Sequence, residues 1–171
     1  MEKVSSARIA LKWGVIYGIV SIVLTTILYN TELWQNKTLS FLLSTLFFFG
    51  VLYLSMKEFR TLNGGFMSFK EGLGLGTLTI TAGGIISLFF DFFYKKFIDT
   101  NILNLQNEMI LEQYEKMGMS EEQIDAAMQR VESMNNSGLT FIGGMLFIVL
   151  FGFLCSLIMS AVMKKDKPVF S

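Results

Sequence analysis

Four long runs of this chain carry no charged residue: 13–29, 39–56, 73–90 and 139–163. Crossing a hydrocarbon core of about 30 Å takes roughly 17–25 apolar residues at about 1.5 Å rise each. The pattern therefore predicts four transmembrane helices, at about 9–29, 39–56, 73–94 and 139–163. A backbone in lipid must satisfy its own hydrogen bonds, so runs of this length are read as helices. The expected architecture is all-α, an integral membrane four-helix bundle in a single domain.

The segment between the third and fourth runs has a different rhythm. Ile102, Leu105 and Met109 recur at helical spacing over 101–117. Gly118 is placed to end that helix in the left-handed conformation. Ser120 followed by Gln123 reads as a capping box, and Glu121 and Glu122 suit the positive end of the next helix dipole. Ile124, Ala127, Met128 and Val131 form one apolar stripe, and Asn135-Asn136-Ser137-Gly138 is expected to break the helix. The whole of 95–138 is predicted to be an extracytoplasmic helical hairpin, whose first arm either continues the third span or starts anew.

The other connections are short. Residues 30–38 form a tight loop. The stretch 57–72 is read as an inner loop turning at Asn63-Gly64-Gly65, residues that accept positive φ cheaply. Phe66 and Phe69 beside Lys70 suggest a short piece resting on the membrane surface.

Charge adds orientation. Of the 14 Lys and Arg, nine lie at the termini and on the 57–72 connection, and five lie on 30–38 and 95–138. Basic residues favour the cytoplasmic side, so both termini are expected there. Trp13, Tyr29, Trp34 and Tyr94 are placed as interfacial anchors, and Lys12 is expected to snorkel to the inner surface. No small-x-small cleavage site precedes Asn30, so the first helix is read as uncleaved.

Composition narrows the chemistry. The chain has 171 residues, 52% hydrophobic and 16% charged, with a formal net charge of zero. No basic patch interleaved with aromatics points to nucleic acid. With no histidine and one cysteine, Cys155, a Cys/His zinc site within one chain is excluded. Neither an H-E-x-x-H nor a G-x-S-x-G motif is present. The glycines of 72–76 match neither a dinucleotide fingerprint nor a Walker A loop, and read as a helix start with small packing residues. No catalytic residue and no cofactor are assigned.

Lipid gives helices no hydrophobic reason to associate, so close approach through small residues matters more. Such residues recur four apart as Gly14 and Gly18, as Gly72 and Gly76, and as Gly152, Ser156 and Ser160; Thr79, Gly83 and Ser87 continue the face of the third span. These positions are read as helix-packing contacts, either within one chain or in a homodimer. The second span, with Phe47, Phe48 and Phe49, is expected to face lipid over much of its surface.

Asp91 is the acidic residue closest to a span interior. An intramembrane carboxylate is a functional candidate by default, here for proton or cation handling. Lys95, four residues on, offers the alternative of an interfacial ion pair. Glu108, Glu112 and Glu115 share a helix face and are read as solvated, because no loop carbonyls accompany them as calcium sites need.

Asn63-Gly64-Gly65-Phe66-Met67-Ser68-Phe69-Lys70-Glu71-Gly72, Gly118-Met119-Ser120-Glu121-Glu122-Gln123-Ile124 and the terminal helix ending in Lys164-Lys165 give the chain a resemblance to the domain-of-unknown-function 4199 family. The resemblance covers nearly the whole chain. It implies a bacterial four-span inner-membrane protein and supplies no catalytic residues. Many relatives are expected to carry proline near Asp99; here the sequence is Asp99-Thr100-Asn101, which leaves the end of the third helix open. The function expected is a non-enzymatic accessory or interaction protein acting through the hairpin. Its partners would be the bilayer and either a second copy or another membrane protein. The alternative is a small oligomeric transporter or channel with Thr25, Thr26, Thr77, Thr79, Thr81 and Ser87 along its path.

Overall fold

The computed structural model describes residues 4–31 and 36–167. Trp34, placed above as an anchor, and Lys3, one of the nine basic residues counted at the termini and on 57–72, lie outside the described residues. Six α-helices follow one another: α1 Ser6–Asn30, α2 Lys37–Leu62, α3 Phe69–Phe93, α4 Asn101–Lys116, α5 Glu121–Ser137 and α6 Leu139–Met163. A π-helical turn, Tyr94–Ile98, follows α3. Four helical stretches are long and apolar enough to cross a membrane: Ser6–Asn30, Thr38–Leu62, Phe69–Ile98 and Leu139–Met163.

The surface of these helices fits hydrocarbon. Only 11% of the most apolar stretch of α1 and 22% of that of α6 are buried within the protein, far less than a core helix in water would need. Leu11, Val15, Ile19, Val23 and Ile27 form an exposed apolar ridge at every fourth position of α1. On α6 the exposed ridge is Leu146, Leu150, Leu154, Ile158 and Val162, while Gly152, Ser156 and Ser160 are buried. Small residues turn inward and large aliphatic ones outward, the reverse of a soluble amphipathic helix.

Two helices end later or start earlier than the charge pattern implies. Hydropathy marks where lipid ends, but a helix continues until something breaks its backbone. α2 runs past Lys57, Glu58 and Arg60 to Leu62. It stops where Gly64 (φ +72°) and Gly65 (φ +87°) adopt the left-handed region, with the Gly65 N–H donating to the Arg60 carbonyl at 2.7 Å. This is the 6→1 bond of a Schellman close. α3 then starts on a capping box at Ser68 and Glu71. The Ser68 N–H donates to Glu71 Oε2 at 2.8 Å, and the Glu71 N–H donates to Ser68 Oγ at 3.4 Å. The long inner loop expected at 57–72 is thus a turn of a few residues between two helices.

The chain divides into two compact units. One takes the residues up to 87 together with those from 146 onward; the other is 88–145. In the first unit, the buried core gathers Ile9 and Ala10 of α1, Phe48, Leu52, Met56 and Phe59 of α2, Leu75 and Ile80 of α3, and Cys155 and Met163 of α6. The expectation that α2 mainly faces lipid holds for Phe41, Leu42 and Leu46 in its first half. Its second half does the opposite, with Leu52, Met56 and Phe59 among the most deeply buried side chains. Glycine on the neighbouring helix is the reason: Leu52 and Met56 fill the space that Gly76 leaves open.

Met67 lies in the α2–α3 turn and is fully buried. Its backbone forms an isolated antiparallel bridge with Lys165, with N–H to O distances of 2.9 and 2.8 Å. Arg60 Nη1 reaches the Met163 carbonyl at 3.4 Å. The segment after α6 is thereby tied to the α2–α3 turn. Phe66, expected on the membrane surface, packs under the Lys165 ammonium at 5.7 Å.

The second unit holds the end of α3, the π turn, α4, α5 and the start of α6. α4 closes at Gly118 (φ +75°), with the Met119 N–H donating to the Tyr114 carbonyl. Ser120 and Gln123 form the capping box of α5. The four-residue break expected at 135–138 reduces to one left-handed residue, Gly138 (φ +72°), because α5 keeps its helical backbone through Ser137. α3 does not continue into α4. Asp99 is extended (φ −141°), and its Oδ1 accepts from the Asn101 N–H at 3.0 Å, so an aspartate turn stands where many relatives are expected to carry proline. Ile102 and Ile124 are buried; Leu105, expected in the same stripe, is 39% exposed.

Candidate functional site

Most of the small residues singled out in the sequence sit at a helix–helix approach. A Cβ added to Gly14 would lie 2.9 Å from Ala82 Cβ and 3.0 Å from the Thr79 carbonyl oxygen. One added to Gly18 would lie 2.8 Å from Ile86 Cβ. Gly83 faces the Gly14 carbonyl oxygen and the Tyr17 ring. An added Cβ would meet Ser160 Oγ at 2.9 Å from Gly72, Ser156 Oγ at 2.6 Å from Gly76 and Ile80 Cγ2 at 2.8 Å from Gly152. In this chain the three small-residue faces bring α1 against α3 and α3 against α6. Ser156 and Ser160 are fully buried there, and their hydroxyls have no hydrogen-bond partner among the described residues.

The polar threonines are divided. Thr26 Oγ1 donates to the Ile22 carbonyl and Thr79 Oγ1 to the Leu75 carbonyl, each at 2.8 Å. These hydroxyls are spent on their own helices. Thr77 and Thr81 Oγ1 have no hydrogen-bond partner among the described residues. They line a shallow groove of about 470 Å³ with Leu73, Gly74 and Phe153, next to Lys70.

Lys12 pairs with Glu58 at 2.5 Å, and Trp13 Nε1 donates to the same carboxylate at 2.7 Å. Lys12 was expected only to snorkel. Its ammonium has a protein acceptor because α2 extends a turn beyond its charge-free run, which hydropathy does not reveal.

Asp91 is the candidate with a formed cavity around it. Lys95 Nζ lies 2.7 Å from Asp91 Oδ2, at 18% and 27% side-chain exposure respectively. The pair is the i,i+4 contact that the spacing allowed. A cavity of about 500 Å³ opens beside it. Its polar wall carries Asp91, Lys95, Lys96, Gln106 and Thr140, and its apolar wall carries Leu88, Phe92, Leu103 and Phe141. All of these residues belong to the 88–145 unit.

The local sequence explains the arrangement. Asp91 and Phe92 sit on the last turn of α3, and Lys95 and Lys96 on the π turn, a geometry often found at functional positions. Gln106 comes from the second turn of α4, and Thr140 and Phe141 from the first turn of α6. Phe141 makes edge contacts with Phe89 and Phe92 at 4.9 and 5.5 Å. The Lys96 ammonium stands over the Phe92 ring at 5.5 Å and the Phe97 ring at 5.9 Å.

Sequence reasoning singled out Asp91 and Lys95 but missed Lys96, Gln106 and Thr140. Gln106 lies four residues past Ile102, on the buried face of α4, which the stripe through Leu105 had placed elsewhere.

The three glutamates of α4 are all exposed, and Glu112 is bridged to Lys116 at 3.1 Å. Among the described residues, no three His, Cys, Asp or Glu side chains converge as a metal site would require.

Comparison with curated proteins and with solved structures found no match. The helices, loops and termini described above nearly all fall within residues 12–165, which match the sequence profile described as "Protein of unknown function (DUF4199)", and the chain belongs to that family.

Proposed function

We propose that this is a multi-pass protein of a bacterial inner membrane that acts without catalysis, through its 88–145 unit. In this reading the four spans pack as a bundle with both termini cytoplasmic. α4 and α5 form a helical hairpin outside the cytoplasm, and that hairpin binds a membrane-protein partner or a second copy.

The observation that carries the reading is the separate organisation of 88–145. Isolated helices of about 12–15 residues are marginal in water, so two helices of 16 and 17 residues need support beyond propensity. Here they have a capping box, left-handed glycines and buried Ile102 and Ile124. Leu105 and Met117, 39% and 67% exposed, are apolar groups left for a partner.

Two measurements test this. A cysteine placed at Ser120, in a Cys155→Ser background, should react with an impermeant reagent in intact spheroplasts; reaction only after lysis reverses the orientation. Affinity purification from mild detergent should yield a stoichiometric partner or a self-associated species. Leu105→Asp with Met117→Asp should abolish it while helicity stays unchanged. Finding neither partner nor self-association refutes the interaction role.

A small oligomeric transporter is the second reading. It is favoured by the unpartnered Thr77 and Thr81 hydroxyls along one groove of α3. Solute flux in proteoliposomes that falls with Thr77→Val and Thr81→Val would select it.

A further inference from the structure

We propose that the cavity beside the Asp91–Lys95 pair binds an anionic amphiphile: one phosphate or carboxylate head with a hydrocarbon tail. The proposal uses only the 88–145 unit and the membrane-spanning character of α3. It names a ligand for the unit that the preceding section gives a partner.

The charge count favours an anion. Two ammonium groups face the cavity against one carboxylate. Asp91 is engaged by Lys95. Lys96 makes no ion pair among the described residues, and its contacts are the faces of Phe92 and Phe97. Gln106 has no side-chain hydrogen bond among the described residues, although it is half-buried. The groups ready to bind are thus a cation and an amide with two N–H donors. A phosphate or carboxylate accepts from both, and charge-assisted bonds of this kind are the strong ones.

The apolar wall excludes a bare ion as the best ligand. Leu88, Phe92, Leu103 and Phe141 line the same space. Phe93, Phe97 and Ile98, at the end of the same apolar stretch, are all more than half exposed. α3 and the π turn make one helical stretch, Phe69–Ile98, apolar enough to span a membrane, and the cavity residues Asp91 to Lys96 lie at its last turns. That is headgroup depth, where a lipid offers an anionic head and an acyl chain together. The volume of about 500 Å³ fits a headgroup and the first part of a chain and is too small for a whole phospholipid.

The experiment uses the full-length protein in phosphatidylcholine nanodiscs containing graded phosphatidylglycerol. Lipid retained on the protein is read by native mass spectrometry, and melting is followed in parallel. Phosphatidylglycerol should be retained over phosphatidylcholine. Lys96→Gln should weaken retention about fivefold, the usual effect of one basic residue at a membrane surface. Gln106→Leu, which keeps the volume, should weaken it as well, and Lys96→Arg should preserve it. Asp91→Asn should strengthen retention, because it removes a carboxylate from the cavity wall. Myristate binding in pure phosphatidylcholine discs separates a free amphiphile from a bilayer lipid; displacement of retained phosphatidylglycerol by myristate in the mixed discs assigns the site to the head-and-tail chemistry they share. Inorganic phosphate alone should not compete, and equal competition by it would overturn the amphiphile reading. Retention that is unchanged across Lys96→Gln, Gln106→Leu and Asp91→Asn would overturn the site itself. Partner capture by the hairpin is measured separately, so either proposal can fail while the other stands.

Discussion

Replacing Gly83 by alanine tests the helix packing most directly. A Cβ at Gly83 would fall on the Gly14 carbonyl oxygen, at less than van der Waals distance, and 2.9 Å from Tyr17 Cβ. The obstacle is backbone and the root of a side chain, so no rotamer change relieves it. α1 and α3 must separate, and the approaches at Gly14 and Gly18 are then lost as well. Overpacking of this kind costs about 1–3 kcal/mol. Alanine also gains about 1 kcal/mol of helix propensity over glycine, so a control is needed. Gly143 on α6 supplies it, since a Cβ there meets nothing within 4 Å. The propensity gain is common to Gly83→Ala and Gly143→Ala and cancels in their difference. For a protein of this size, about 2 kcal/mol corresponds to roughly 4–8 °C in Tm. Thermal denaturation in detergent, followed by size-exclusion chromatography, should place Gly83→Ala below Gly143→Ala by that interval. A Gly83→Ala protein as stable as Gly143→Ala refutes the close α1–α3 approach. A Gly83→Ala protein that keeps its Tm but changes its oligomeric size would move the contact from within the chain to between chains.

Two further outcomes follow from the turns. Gly64→Val with Gly65→Val should destabilise the protein by about 1–2 kcal/mol per residue, since both residues hold positive φ; unchanged melting in detergent would show that the α2–α3 turn can be made another way. Met67→Ala should cost about 2–5 kcal/mol, as for other buried methionines, and should speed proteolysis after Met163, because the side chain that anchors the bridge to Lys165 is gone; equal cleavage rates would separate Met67 from the ordering of that segment.

Much of the architecture is local and was therefore legible. Charge-free length marks the four spans, since lipid tolerates few ionised groups. Gly64, Gly118 and Gly138 mark helix ends because the left-handed conformation is cheap only without a Cβ. Ser120 and Gln123 announce a helix start through bonds that close within four residues. Ser68 and Glu71 carry the same signal and start α3 in the same way, although reading 57–72 as a loop misses that start.

Tertiary structure decided what each small or polar residue meets. Spacing put Gly14, Gly18, Gly72, Gly76, Gly83, Gly152 and Ser156 on helix faces, but a face four residues deep suits a neighbour in the same chain or in another. Only the three-dimensional arrangement pairs Gly76 with Ser156 and Gly83 with Gly14. The burial of Leu52, Met56 and Phe59 on a helix that looks lipid-facing depends on the glycine opposite them. The Met67–Lys165 bridge joins residues far apart in sequence through backbone atoms, which carry no residue-type signal at all. The cavity beside Asp91 is of the same kind. Asp91 and Lys95 were readable as an i,i+4 pair, whereas Gln106 and Thr140 join them only once the chain has turned at Asp99 and again at Gly138.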